Sequence, residues 1–179
     1  MKFIFDFDGV LFLTIKNLEE HINEIYKRNG ISREQIEKYY NQEKVNGFSQ
    51  KKMLKYFSLP ENLYEEMMKD NKTFVNQEVL KVVKKLGSKN CYLVTDGDEE
   101  YQRDKIKSAE IAHLFSEIIV TLGSKKEIIK NICKKHKNET IIFVDDRQKF
   151  FDDLDLKKCP NLKTILFTGQ NLEHYFKIV

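Results

Sequence analysis

Proline and glycine are scarce, two and seven among 179 residues. So few chain breakers argue against long flexible linkers. Tryptophan is absent, and the thirteen Phe and eight Tyr read as core material. Cys91, Cys133 and Cys159 are odd in number and share no CxxC spacing. A disulfide framework is not expected, and two of the three fall in apolar patterns that read as core. No apolar run approaches the 18 or so residues of a membrane span, and no secretory leader pattern precedes the first strand. The expectation is a cytoplasmic protein with no membrane partner. Net charge is only +3, from 31 basic and 28 acidic side chains. That is too small to imply a nucleic-acid partner, and Lys84-Lys85 and Lys134-Lys135-His136-Lys137 read as solvated helix faces. Nothing in the sequence signals an oligomer, so a monomer is the default.

What is present is a globular composition, 41% apolar and 33% charged. The length suits one domain, or a core with an inserted subdomain. An apolar run from Met1 leads into a first strand over Phe3 to Phe7. The pattern then turns helical for about sixty residues. Ile15, Leu18, Ile22 and Ile25 recur at helical spacing, and Ser32 with Gln35 forms a capping box before Ile36, Tyr39 and Tyr40. A third helix carries Met53, Leu54 and Phe57, and Pro60 suits the first turn of a fourth. After a long amphipathic helix (Val75, Val79, Val82, Val83, Leu86) stopped by Gly87, strands and helices alternate. Strands are expected over 91–95, 118–121, 140–145 and 164–167. Between them lie a helix from near Asp98, a second boxed by Ser124 and Glu127, and a short third through Phe150, Phe151 and Leu154. Such alternation implies an α/β fold with a parallel, doubly wound, Rossmann-like three-layer core, plus a small all-α insert.

The polar residues that end the apolar runs are the candidates for chemistry. Asp6 and Asp8 close the first run, Thr95 closes Cys91-Tyr92-Leu93-Val94, and Asp145-Asp146 closes Ile141-Ile142-Phe143-Val144. In open α/β sheets ligands bind at the carboxyl ends of strands. Residues i and i+2 of a strand share a face, so Asp6 and Asp8 are placed to enter one pocket as nucleophile and acid/base partner. Gathered carboxylates repel, and a hard divalent cation such as Mg²⁺ relieves the conflict. Asp145 or Asp146 also suits N-capping of the next helix. Thr95 offers a hydroxyl to a phosphate oxygen, with the backbone N–H groups of Asp96 and Gly97 beside it. With Ser124 as N-cap, Lys125 and Lys126 both fall in the first turn, where a cation opposes the helix dipole unless an anion binds there.

Asp6-Phe7-Asp8-Gly9-Val10-Leu11, Thr95, Lys125 and Asp145-Asp146, in that order, resemble the four motifs of the haloacid dehalogenase superfamily of phosphohydrolases. The resemblance covers a core of roughly residues 1–13 and 77–179, with residues 14–76 in the place of an α-helical cap. It implies a Mg²⁺-dependent phosphatase acting on a small phosphate ester. Asp6 would be the nucleophile that becomes an aspartyl-phosphate, and Asp8 the acid/base residue. Thr95, Asp96 and Lys125 would hold the phosphoryl group. Asp6, Asp8 through its backbone carbonyl, Asp145 and Asp146 would form the metal site. A phosphomutase and a non-catalytic phosphate-binding scaffold are the alternatives. Two departures stand out: Asp96 replaces a frequent Asn, and the proline common after the motif lysine is absent, which leaves Lys126 as a second candidate. The aromatics Tyr39, Tyr40, Phe48, Tyr56 and Phe57 read as packing material of the insert.

Overall fold

Five runs rich in β-branched and aromatic residues form one parallel sheet. They are β1 (Lys2–Phe5), β2 (Cys91–Asp96), β3 (Glu117–Thr121), β4 (Ile141–Asp145) and β5 (Leu162–Leu166), in the order β3-β2-β1-β4-β5. The computed structural model describes residues 1–176, without the side chains of Ile15 and His174. β1, β2 and β4 are buried almost throughout, while β3 and β5 are the half-covered edges. A central parallel strand is covered on both faces, and this explains why its sequence is continuously apolar rather than alternating.

The two faces carry separate cores. Phe3, Phe5, Leu93 and Val144 pack with α5 (Gln77–Leu86), α6 (Glu99–Ser108) and α9 (Glu173–Phe176). Ile4, Tyr92, Val94 and Phe143 pack with α7 (Lys126–Lys135) and α8 (Lys149–Asp152). Adjacent strand residues thus face opposite layers, as the pleat requires. The three cysteines are all buried and free. Among the described residues, no helix is long and apolar enough to cross a membrane.

Between β1 and α5 lies the helical insert. A turn of π-helix at Thr14–Leu18 runs into α1 (Glu19–Arg28), followed by α2 (Arg33–Glu43), α3 (Gln50–Tyr56) and α4 (Leu63–Lys69). The Ser32 box is formed: the Ser32 hydroxyl accepts the Gln35 N–H at 3.3 Å, and the Gln35 side chain accepts the Ser32 N–H at 2.8 Å. The two connections to the core lie side by side. Leu13 N–H donates to the Phe74 carbonyl at 2.9 Å and Asn76 N–H to the Leu11 carbonyl at 2.8 Å. The aromatics of the insert stack on one another, Tyr39 against Phe48, Tyr56 and Phe57, and Phe48 also meets Tyr101 of α6.

The structure corrects three local expectations. β1 ends at Phe5 rather than Phe7, because the Phe7 carbonyl accepts the N–H groups of both Leu11 and Phe12 and closes a loop there. Pro60 precedes α4 instead of opening it, and its carbonyl accepts the Leu63 N–H. The Ser124 box on α7 is incomplete: the Ser124 hydroxyl accepts the Lys126 N–H at 3.2 Å, but the N-cap is Lys125 and Glu127 pairs with Lys130 on the exposed side.

Asp98 is the N-cap of α6, its carboxylate accepting the Tyr101 N–H at 3.1 Å and pairing with Lys52 of α3 at 2.8 Å. Asp98→Ala is expected to cost about 1 kcal/mol in urea unfolding, the usual loss of an N-cap. Lys52→Ala, which spares the cap and removes the partly exposed ion pair with a hydrogen bond to the Gly47 carbonyl, should cost less than that.

Candidate active site

The order reversal at β1 places a crevice at the carboxyl ends of β1 and β4. Phe5 is in register with Val144, and the Asp6 N–H donates to the Val144 carbonyl at 2.9 Å. Asp6 and Asp145 therefore emerge side by side, both fully buried. Lys125, at the head of α7 and equally buried, reaches between them: Nζ lies 2.5 Å from Asp6 Oδ1 and 2.6 Å from Asp145 Oδ2. Of the two candidate lysines, Lys125 is the one in the site, whereas Lys126 is exposed.

Charge is unbalanced in this buried cluster. Burial, reinforced by the Asp145 and Asp8 carboxylates, raises the Asp6 pKa to about 7 against the pull of Lys125. Asp146 is also raised, by burial and by Asp145. Asp6, Asp145 and Asp146 can each place one carboxylate oxygen within 4.8 Å of the others. Asp6 Oδ2 and Asp146 Oδ1 are buried acceptors without a hydrogen-bond partner. A set of hard carboxylate oxygens, two of them unpaired, fits a divalent cation of the oxygen-seeking kind. Gly9 brings the loop backbone against this cluster: at φ +80° it is left-handed, and a Cβ would land on the Asp146 carboxylate.

Thr95, near the end of β2, is buried, and its hydroxyl also has no partner. A buried hydroxyl left unpaired costs about 1–3 kcal/mol, so an acceptor entering the crevice would be stabilised there. Asp96 behaves differently from the expectation. Its carboxylate turns to the β3–α7 connection, accepting the Gly123 N–H at 2.7 Å, with Arg147 and Lys149 at 3.6 and 3.9 Å. The Gly97 N–H is likewise engaged by the Thr121 carbonyl at 2.8 Å, which removes it as a phosphate donor.

Asp8 does not share a strand face with Asp6, because the strand has ended. Its carboxylate leans toward α6, where Lys105 Nζ contacts both oxygens at 2.6 and 2.7 Å. Gln102 donates to Oδ2 at 2.8 Å and the Thr14 hydroxyl donates to Oδ1. Burial acts to raise the Asp8 pKa, but Lys105 and the two neutral donors together bring it below the usual carboxylate range. The Asp8 carboxylate stands outside the cluster suited to a cation, so any metal contact from Asp8 falls to its backbone carbonyl. Lys105, Gln102 and Thr14 were not anticipated. A signal existed for two of them: Gln102 and Lys105 fall in the buried stripe of α6 with Tyr101 and Ile106, where polar residues need a partner.

The sheet order and the lysine-bridged acidic strand ends define a class, the Rossmann-like α/β enzymes that work at a strand-end crevice. Within it, the chain belongs to the haloacid dehalogenase-like hydrolase family, whose model matches residues 3–158. The fold is similar to that of a haloacid dehalogenase-like hydrolase from Burkholderia xenovorans LB400 (TM-score 0.68, 14% identity, 99% of this chain and 88% of that one). It is similar also to a hydrolase from Streptococcus pneumoniae TIGR4 (TM-score 0.61, 18% identity, 99% and 98%). A Thermotoga maritima protein described as a β-phosphoglucomutase shares it too (TM-score 0.54, 14% identity, 97% and 91%). At these identities the likeness is one of fold. No curated protein matches the sequence significantly.

Removing Lys125 would leave Asp6 and Asp145 buried together without a counter-charge. Lys125→Met is expected to lose about 3–5 kcal/mol in urea unfolding with a chelator present. Added divalent cation should recover part of that loss, since it would substitute for the missing charge.

Proposed function

We propose that the protein is a Mg²⁺-dependent phosphatase of small phosphate esters, working through an aspartyl-phosphate on Asp6. One observation carries the reading: at neighbouring strand ends an unpartnered Asp6 oxygen and an unpartnered Thr95 hydroxyl stand with a shared ammonium. An ammonium has three donors. Lys125 uses two on Asp6 and Asp145 and lies 4.3 Å from the Phe150 ring centre, and its third donor would serve a phosphoryl oxygen. Thr95 supplies a second donor to that group. Asp6, Asp145 and Asp146 would hold the metal ion, which when bound offsets the charge of the transferring phosphoryl group.

In the first half-reaction an Asp6 oxygen attacks phosphorus, the ester P–O bond breaks, and Asp8, which its partners hold ionised at rest, relays to the leaving oxygen a proton taken up from solvent. In the second, water attacks phosphorus as Asp8 takes its proton, and the Asp6 carboxylate is regenerated with release of phosphate. Retention of Asp8 supports this over dehalogenation, which needs the nucleophile but no second acid at that place. The insert, residues 14–76, is read as a cap over a core of residues 1–13 and 77–179. A phosphomutase would keep every one of these residues and differ in shielding the intermediate from water. The likeness to the Thermotoga protein is why it stays the second reading.

With p-nitrophenyl phosphate and a panel of phosphometabolites, phosphate release is expected with Mg²⁺ and not with EDTA. Asp6→Asn should lower it about 1,000-fold or more while remaining folded by circular dichroism. Turnover by Asp6→Asn at a comparable rate would refute the nucleophile. Phosphoenzyme formation without phosphate release would select the phosphomutase, and neither signal on any substrate would select the phosphate-binding scaffold.

A further inference from the structure

Lys105, on α6, is the other enclosed cation among the described residues, with its side chain only 2% exposed. Taking an ammonium out of water costs several kcal/mol, and the buried stripe it occupies is shared with Tyr101, Gln102 and Ile106. An apolar side chain would pack there at no such cost. What Lys105 does instead is specific. Its Nζ bridges both Asp8 oxygens and sits over three rings, Tyr101 at 4.9 Å, Phe7 at 5.3 Å and Phe12 at 5.8 Å. The rings fix the ammonium by cation–π attraction, and the ammonium fixes the carboxylate.

Each Asp8 oxygen accepts from two donors, Oδ1 from Thr14 and Lys105, Oδ2 from Gln102 and Lys105. Such a carboxylate has one orientation. Gln102 is itself tied to the Asp96 carbonyl at 3.2 Å and packs against Gly97, where a Cβ would meet its amide nitrogen at 2.6 Å. The helix bearing both residues is held from the insert by Lys51 on Glu100 and Asp104, Tyr64 on Asp104, and Asn71 on Ser108.

We propose that Lys105, assisted by Gln102, is a positioning residue that sets the direction of the Asp8 carboxylate, and through it the water that attacks the aspartyl-phosphate. The inference rests on the phosphatase reading for its kinetic consequence. In the step concerned, the water oxygen bonds to phosphorus as its proton passes to Asp8 Oδ1, from which the Thr14 hydroxyl must turn away. The P–O bond to Asp6 breaks, and its electron pair returns to the Asp6 carboxylate.

p-Nitrophenyl phosphate separates the halves, because its phenolate leaves without a proton and only the second half then depends on Asp8. In Lys105→Met, kcat is expected to fall about 10–100-fold, with KM falling in parallel and kcat/KM within about threefold of wild type. Rapid mixing should show a nitrophenolate burst approaching about one per enzyme. Lys105→Arg should recover part of kcat. The double variant Lys105→Met/Asp8→Asn should be no slower than Asp8→Asn alone, since both remove one function. Equal loss in kcat and kcat/KM without a burst, or additive losses, would overturn the proposal. A second arm needs no substrate: in a crystal structure of Lys105→Met the Asp8 carboxylate should have turned from its present orientation, and an unmoved carboxylate overturns the proposal even if no ester is hydrolysed. Absence of wild-type turnover would count against the phosphatase reading alone, leaving this arm to decide the role of Lys105.

Discussion

The buried ammonium of Lys125 between Asp6 and Asp145 is the contact on which the site depends. Two carboxylates on adjacent central strands would repel strongly in so little water, and the same register that builds the sheet forces them together. Lys125 makes that register tolerable from a third element, the head of α7. The solution is incomplete. One oxygen of Asp6 remains unpaired, and Asp146 adds a further acid. A cluster short of positive charge attracts a cation, and a lysine with a spare donor attracts an anion. The two deficits are complementary, and the proposed metal–phosphate pair would meet both at once.

The topology explains why these groups meet although they lie far apart in sequence. β1 sits at the centre, with β2 on one side and β4 on the other. Asp6 directly follows β1, Thr95 is the penultimate residue of β2 and Asp145 ends β4, so chain order converts directly into spatial adjacency. Anything inserted just after β1 must rise over the same crevice. The paired connections at Leu13–Phe74 and Leu11–Asn76 root the helical insert there.

The strand ends are legible in the sequence because a buried parallel strand has to be apolar throughout and its end is where polarity is allowed. Asp6, Thr95, Asp145 and Asp146 can be read from that rule alone, and the sheet follows from the spacing of the runs. The lysine at the head of α7 is legible only by register: Ser124 does accept the Lys126 N–H, but the N-cap position falls on Lys125. The directions of Asp8, Asp96 and the Gly97 N–H are not legible. They depend on where β1 stops and which partners the loops bring, one residue either way. Lys105 escapes because a lysine on an amphipathic helix reads as solvated unless its partner, 97 residues away, is known.

The two buried lysines divide the carboxylates between them. Lys125 belongs to the acids that lie beside the unpartnered Thr95 hydroxyl and offers them a donor that can be shared with a ligand. Lys105 belongs to Asp8 alone: its Nζ holds both Asp8 oxygens and lies over three rings. Lys125 also lies over rings, Phe150 at 4.3 Å and Phe143 at 5.8 Å, so the two differ in the acids they hold. Lys125 joins Asp6 and Asp145 across two strand ends, whereas Lys105 holds Asp8. α6 carries Lys105 on its buried face and meets α3 and α4 of the insert through Glu100 and Asp104, so it is also the route by which the seating of the insert reaches Asp8.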